Sequence, residues 1–355
     1  MPTLDPTPHS KGLAIFTTGG TIVSSGDSAT QMTGYSIRGF DTTAFIECLK
    51  PLEVISDIKI KMIAEIDSSS MTSAIWMDLA RAIEEADQDP NIDGMVITHG
   101  TDTLEETAYF LSLVLKTSKP VVLTGAMRPS TAMSADGPLN LYNAARVALD
   151  EQSRGKGVLV VLNDTILSAR DATKMHPTNV ATFAAPNGGA LGLIAGESII
   201  WLNAPVRHHN PEAPFPLERI ERYLTHHKVF PRVDILYTHV DDDAVLVNAV
   251  RAAGAQGIVH AGSGNGSIHE NTEAALFEAA QAGVLIVRAS RTPTGATVNG
   301  LSEWQEAGFV PSGTLNPQKA RVLAQLILMF SDDAQDPHSR YTELTRLAQI
   351  AFATC

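Results

Sequence analysis

The stretch Gly94-Met95-Val96-Ile97-Thr98-His99-Gly100-Thr101-Asp102-Thr103-Leu104 constrains this chain more than any other. Its first half is a short apolar run with β-branched residues, which reads as a buried strand. Its second half opens a helix. Thr103 and Glu106 have the spacing of a capping box, and Leu104, Ala108, Leu111 and Leu115 follow at helical intervals. A strand that stops where a helix starts exposes polar side chains beside free backbone N–H groups. In open α/β sheets that carboxyl edge is where ligands bind. Thr101 and Asp102 therefore read as candidates for a ligand site, against the plainer alternative of a helix N-cap.

The same junction recurs along the chain. A strand over Leu13–Thr18 runs into Gly19-Gly20-Thr21, where paired glycines permit a sharp turn and a close approach. The third glycine of a dinucleotide fingerprint is missing there. Gly26, Gly34 and Gly39 punctuate a polar stretch from Ser24 to Gly39 that suits a lid, with Tyr35 inside it. A helix is expected over Thr42–Leu49 and a strand over Ile58–Ile66. Asp67-Ser68-Ser69-Ser70 then precedes a helix over Thr72–Ala86. Further strands are read at Val121–Thr124 and Gly157–Asn163, with a helix over Leu139–Leu149 between them. The segment Asp164–Asn187 is polar and lacks clear periodicity; it holds Arg170, Asp171 and Lys174.

Pro211, Pro214, Pro216 and Pro231 mark residues 206–231 as a linker. A second α/β unit follows. Its strands are read at Asp234–Thr238, Gly257–Ala261 and Val284–Ala289, and its helices at Ala244–Ala253, Glu273–Ala282 and Pro317–Phe330. Gly262-Ser263-Gly264-Asn265-Gly266-Ser267 is a glycine-rich turn without a Walker lysine. The alternation predicts two doubly wound, mostly parallel α/β domains: a larger one over 1–205, which holds the strand-to-helix junction of Thr101 and Asp102, and a smaller one over 232–355.

A chain of 355 residues suits two domains, and a formal net charge of -13 argues against nucleic acid and anionic membrane as partners. Cys48 and Cys355 give no sign of a disulfide. The polar segment Met1–Lys11 lacks the apolar core of a signal peptide, and no run reaches membrane-spanning length, so a cytoplasmic location is expected. His208-His209 and His226-His227 lack a regularly spaced ligand partner, so no metal site is expected.

Hydroxyls, a phenol, a carboxylate and a lysine thus gather at strand ends. An unaided threonine hydroxyl is a poor nucleophile and needs a base or an activating neighbour. The candidates here are Lys174, Tyr35 and Asp102. Thr17-Thr18-Gly19-Gly20-Thr21-Ile22 and Gly94–Leu104 resemble the two signature motifs of the bacterial L-asparaginase family, the one that uses paired threonines. The resemblance continues through Lys119–Thr131, Ser134–Asn143, Asn163–Thr165, Arg170–Lys174, Pro293–Thr297 and Ser312–Arg321, so it spans both domains.

That resemblance implies hydrolysis of the side-chain amide of L-asparagine to aspartate and ammonia without a cofactor, with minor glutaminase activity beside it. Carried onto this sequence, it makes Thr21 the nucleophile at the lid hinge and Tyr35 its lid partner. Thr101, Asp102 and Lys174 become a second, buried triad. Asp102 and Ser68 resemble the clamps for the substrate's α-amino and α-carboxylate groups, with Asp67, Ser69 and Gly100 in the same binding wall. The Ala126 carbonyl resembles the acceptor for the leaving amide nitrogen. Asn265, Ser267 and Glu303 resemble residues contributed by a neighbouring subunit, which implies a homotetramer with sites at the interface of intimate dimers. Val23 stands where a small residue is usual and Ser69 where a glutamine is common. The local alignment near Glu303 is one residue short. Two other classes compete: a non-catalytic amino-acid-binding protein, which would have no need of Lys174 beside Thr101, and a dinucleotide-dependent oxidoreductase, which lacks its fingerprint.

Overall fold

The computed structural model describes residues 11–20, 28, 30–31, 49–52, 56–206, 213–331 and 337–355. Contacts divide the chain into two compact units, Met1–Ala213 and Pro214–Cys355. In the first unit, β1 (Lys11–Gly19), β2 (Ser56–Ile66), β3 (Gly94–Thr98), β4 (Val121–Thr124) and β5 (Val158–Leu162) run parallel. They are continued antiparallel by β6 (Thr165–Ser168), β9 (Gly192–Ala195) and β10 (Ser198–Trp201), giving an eight-stranded sheet of order β10-β9-β6-β5-β4-β3-β1-β2. The central strands are buried along their whole length, which is why they read as unbroken apolar runs rather than alternating ones. β2 lies at the edge and leaves Ile60 and Met62 exposed.

Three long helices of this unit follow their strands in turn: α1 (Ser73–Asp87), α2 (Leu104–Val114) and α3 (Gly137–Ala148). Thr72 caps α1, its hydroxyl accepting from the Ile75 N–H at 3.3 Å. Pro138 sits in the first turn of α3, where a missing N–H is harmless. Leu141, Ala144, Ala145 and Ala148 of α3 close a core against Val96, Val122, Leu159 and Val161 of the sheet. Burying such a layer is the main source of the unit's stability, at about 25 cal/mol per Å² of apolar surface.

The second unit is smaller. β11 (Val233–Tyr237), β12 (Gly257–Gly262), β13 (Leu285–Ser290) and β14 (Val310–Pro311) form a four-stranded sheet, parallel throughout, in sequential order. Pro311 falls on the edge strand, where a residue without an N–H breaks no ladder. Helices α5 (Val245–Ala252), α6 (Glu270–Gln281) and α8 (Pro317–Phe330) match the expected ones within a few residues.

Several expectations change. The stretch 206–231 contains α4 (Leu217–His227), led in by Pro216 and anchored by an edge contact of Phe215 with Phe330. Proline at a helix entrance is compatible with the helix, so the stretch read as a linker holds a helix of its own. The capping box at Thr103 and Glu106 does not form: the Thr103 hydroxyl makes no cap hydrogen bond and donates to the Ser68 carbonyl at 2.7 Å. The polar segment 164–187 holds β6 and a separate antiparallel pair, β7 (Thr173–Lys174) with β8 (Phe183–Ala184). Helices α7 (Ser302–Glu306) and α9 (Pro337–Thr354) were not expected. Cys355 is buried. Cys48 and almost all of both the lid segment and the helix expected over Thr42–Leu49 lie outside the described residues. Among the described residues, no helix is long and apolar enough to cross a membrane.

Candidate active site

The strand order puts β4, β3, β1 and β2 side by side, with Thr17 opposite Thr98 and Thr98 opposite Thr124. Their carboxyl ends therefore finish together. Glycines let the turns beyond them meet. Gly19 and Gly20 have φ of 98° and 92°, a region that favours glycine. A Cβ on Gly20 would stand 2.5 Å from the Gly100 nitrogen, and a Cβ on Gly100 would stand 2.6 Å from the Ser68 hydroxyl. A Cβ on Gly125 would stand 2.5 Å from the His99 carbonyl oxygen. The ends of the strands are thus in backbone contact, with no room for larger residues.

Into this edge comes Lys174. Its strand β7 is held by pairing with β8, Lys174 opposite Phe183, and by the Met175 N–H donating to the Thr182 carbonyl at 2.8 Å. Lys174 Nζ donates to Thr101 Oγ1 at 2.9 Å and to Asp102 Oδ1 at 2.5 Å. Thr101 is buried, the Lys174 side chain is 14% exposed and the Asp102 side chain 61% exposed. One face of the group therefore rests on the protein while its carboxylate reaches solvent. Because the Thr101 oxygen accepts from the lysine, its own hydrogen is directed to something else.

Ser68 ties the turn after β2 to the start of α2. Its carbonyl accepts from the Thr103 hydroxyl at 2.7 Å and its hydroxyl oxygen accepts from the Asp102 N–H at 3.2 Å. Asp67 caps its own turn: its Oδ1 accepts from the Ser69 N–H at 2.8 Å, and the residue is exposed. The Ser70 N–H donates to the Asp67 carbonyl at 2.9 Å. The amides of Ser69 and Ser70 are therefore engaged within the turn. What it presents is the Ser68 hydroxyl and the exposed Ser69 side chain.

The turn after β4 is clamped from α3. The Asp136 carboxylate accepts from the N–H groups of Met127, at 3.0 Å, and Arg128, at 2.9 Å. Asn140 Nδ2 donates to the Gly125 carbonyl at 3.0 Å. Ala126, between these anchors, is fully buried. Asp136 and Asn140 lie in the sequence segment that carries the family resemblance, yet only the folded geometry shows their part. His99 is likewise buried, and burial pushes its pKa down to about 4.

Asn265, Ser267 and Glu303 belong to the second unit and are exposed there. Asn265 Oδ1 accepts from the Val298 N–H at 2.8 Å, which leaves its amide N–H groups for a ligand. The loop is shaped by Arg288, whose guanidinium donates to the carbonyls of Asn265 at 2.6 Å, Gly266 at 3.3 Å and Val298 at 3.3 Å. Arg288 also lies over the Trp304 ring at 4.4 Å. Thr21 and Tyr35 lie outside the described residues. Among the described residues, no group of three or more His, Cys, Asp or Glu could hold a metal ion.

A family model described as Asparaginase, N-terminal, matches residues 12–207, and one described as Glutaminase/Asparaginase C-terminal domain matches residues 232–337. The chain belongs to the asparaginase family. It is 45% identical over 325 residues to L-asparaginase 2 of Escherichia coli (strain K12), covering 91% of this chain and 90% of that protein. It is 45% identical over 322 residues to a probable periplasmic L-asparaginase of Haemophilus influenzae, covering 90% and 89%. The crystal structure of a probable cytoplasmic L-asparaginase from Campylobacter jejuni superposes with a TM-score of 0.87 at 42% identity, covering 97% of this chain and 100% of that one. Asparaginases therefore share both the sequence and the fold of this chain. The alternative of a non-catalytic amino-acid-binding protein finds no support among these relatives.

Proposed function

We propose that this protein hydrolyses the side-chain amide of L-asparagine, giving L-aspartate and ammonia, with glutamine as a minor substrate. The observation that carries this reading is Lys174 bridging Thr101 and Asp102 at the glycine-lined strand edge of an asparaginase-family chain. A zwitterionic amino acid needs an anion for its ammonium and donors for its carboxylate. Asp102 supplies the first and the Ser68 hydroxyl serves the second. Fixing both ends aligns the amide carbon for attack.

In the proposed reaction the Thr21 oxygen bonds to the amide carbon. The hydroxyl proton passes to the amide nitrogen as the C–N bond breaks, and ammonia leaves. Water then adds to the acyl-enzyme, aspartate departs and the hydroxyl is restored. Tyr35 acts beside Thr21. Thr101, held by Lys174, donates its free hydrogen to the reacting groups, and the Thr101 N–H near the start of α2 stabilises the oxyanion. The Ala126 carbonyl receives the leaving nitrogen, and Gly100 and Ser69 complete the wall. Asn265, Ser267 and Glu303 of a neighbouring subunit finish the clamp on the ammonium, within a homotetramer. A cytoplasmic location is part of the proposal, supported by the likeness to the probable cytoplasmic L-asparaginase of Campylobacter jejuni; cell fractionation tests it. Ammonia release by the purified protein, asparagine against glutamine, tests the activity.

A further inference from the structure

His99, the residue before Gly100, is 1% exposed. Its Nδ1 lies 2.7 Å from the Gly100 carbonyl oxygen. A carbonyl only accepts, so Nδ1 carries the hydrogen. Burial keeps the ring neutral, and a neutral ring with hydrogen on Nδ1 has a bare Nε2. The partner of Nε2 is Thr107 Oγ1 at 2.9 Å, which must therefore donate. Into the same hydroxyl oxygen Trp76 Nε1 donates at 2.8 Å. An indole can only donate, so every hydrogen in the chain has one direction. Trp76 is itself fixed by stacking on Phe110, ring centroids 4.9 Å apart.

The last link bears on the site. A peptide unit is planar and trans, so its C=O and N–H point in opposite directions. Turning the Gly100 carbonyl onto the imidazole turns the Thr101 N–H away from it. Among the described residues no acceptor takes that N–H. We propose that the buried Trp76–Thr107–His99 relay is a positioning device, which locks the Gly100–Thr101 peptide so that the Thr101 N–H is presented to the reacting amide oxygen. This rests on the asparaginase reading above, and it assigns His99, Thr107 and Trp76 to positioning, since none of them is asked to touch the substrate.

The test pairs spectroscopy with kinetics. NMR of isotope-labelled imidazole nitrogens in the wild-type protein is expected to show His99 with its hydrogen on Nδ1. Thr107→Val, which keeps the shape and removes the hydroxyl, is expected to lower kcat about tenfold with KM for asparagine unchanged. A misaimed donor loses less than the roughly 10²–10³-fold of a donor removed outright. Thr107→Ser is expected to restore kcat. Circular dichroism and thermal melting show that the variants are folded. An Nε2–H tautomer in the wild-type protein overturns the proposal, and that reading needs no variant to fold. So does a folded Thr107→Val protein with full kcat, or a loss that Thr107→Ser does not restore. If the wild-type protein releases no ammonia, the functional reading fails first, and the tautomer still decides whether the peptide is locked.

Discussion

At the scale of single residues, Lys174 makes the sharpest statement. Its ammonium gives one hydrogen to the Thr101 hydroxyl and another to the Asp102 carboxylate, so the three side chains behave as one unit. Groups that act as a unit lose most of their effect when any member is removed. Thr101→Ala and Lys174→Met are each expected to lower kcat at least about a hundredfold, the scale of a positioned proton-handling group. The double variant is expected to be little worse than either. Steady-state kinetics on the four proteins of this cycle checks it, and effects that multiply would separate Lys174 from Thr101. The types of these residues were legible in the sequence, because hydroxyls and a carboxylate stood at a strand-to-helix junction. The contact of Lys174 with them was not. A lysine in a segment without periodicity is ordinarily solvated, so it could be named as a candidate activating group but only the family resemblance grouped it with Thr101.

At the scale of elements, the readable parts were those whose signal is local. β3, β4 and β5 are unbroken apolar runs, and α8 begins at a proline beneath an asparagine cap. The unreadable parts depend on distant partners. A strand of two residues such as β7 has no period of its own and exists through its pairing with β8. Thr103 had the local signature of a capping box, but a tertiary acceptor, the Ser68 carbonyl, took its hydroxyl. Asp67 forms a local cap on its own turn, which its place before three serines made readable. The glycine contact between the turns after β1 and β3 gives the prediction at this scale. Gly20→Ala places a methyl group 2.5 Å from backbone that cannot swing aside, at a φ of 92°. Strain of this kind costs about 1–3 kcal/mol. The variant is expected to melt at a lower temperature and to lose turnover, because relief requires Gly100, and with it Thr101, to move. An unchanged melting temperature and kcat would show that the two turns are not in contact.

At the scale of the whole molecule, the chain divides into two units, and an asparaginase family model matches within each. The proposed role of Asn265, Ser267 and Glu303 requires them to act on a pocket of another subunit. Binding energy remote from the reacting bond aligns that bond, so losing these groups lowers turnover as well as affinity. Thr21→Ala and Glu303→Ala proteins, each severely impaired alone, are expected to regain activity when unfolded and refolded together, since a mixed dimer carries one pocket with both groups intact. No recovery in mixed oligomers verified by mass would confine the site to one subunit. The central claim, that this chain is a working asparaginase, is tested most directly by incubating the purified wild-type protein with L-asparagine and measuring ammonia and aspartate together. Equal amounts of the two products, formed faster from asparagine than their counterparts from glutamine, are predicted. Saturable binding of asparagine with neither product appearing would contradict it.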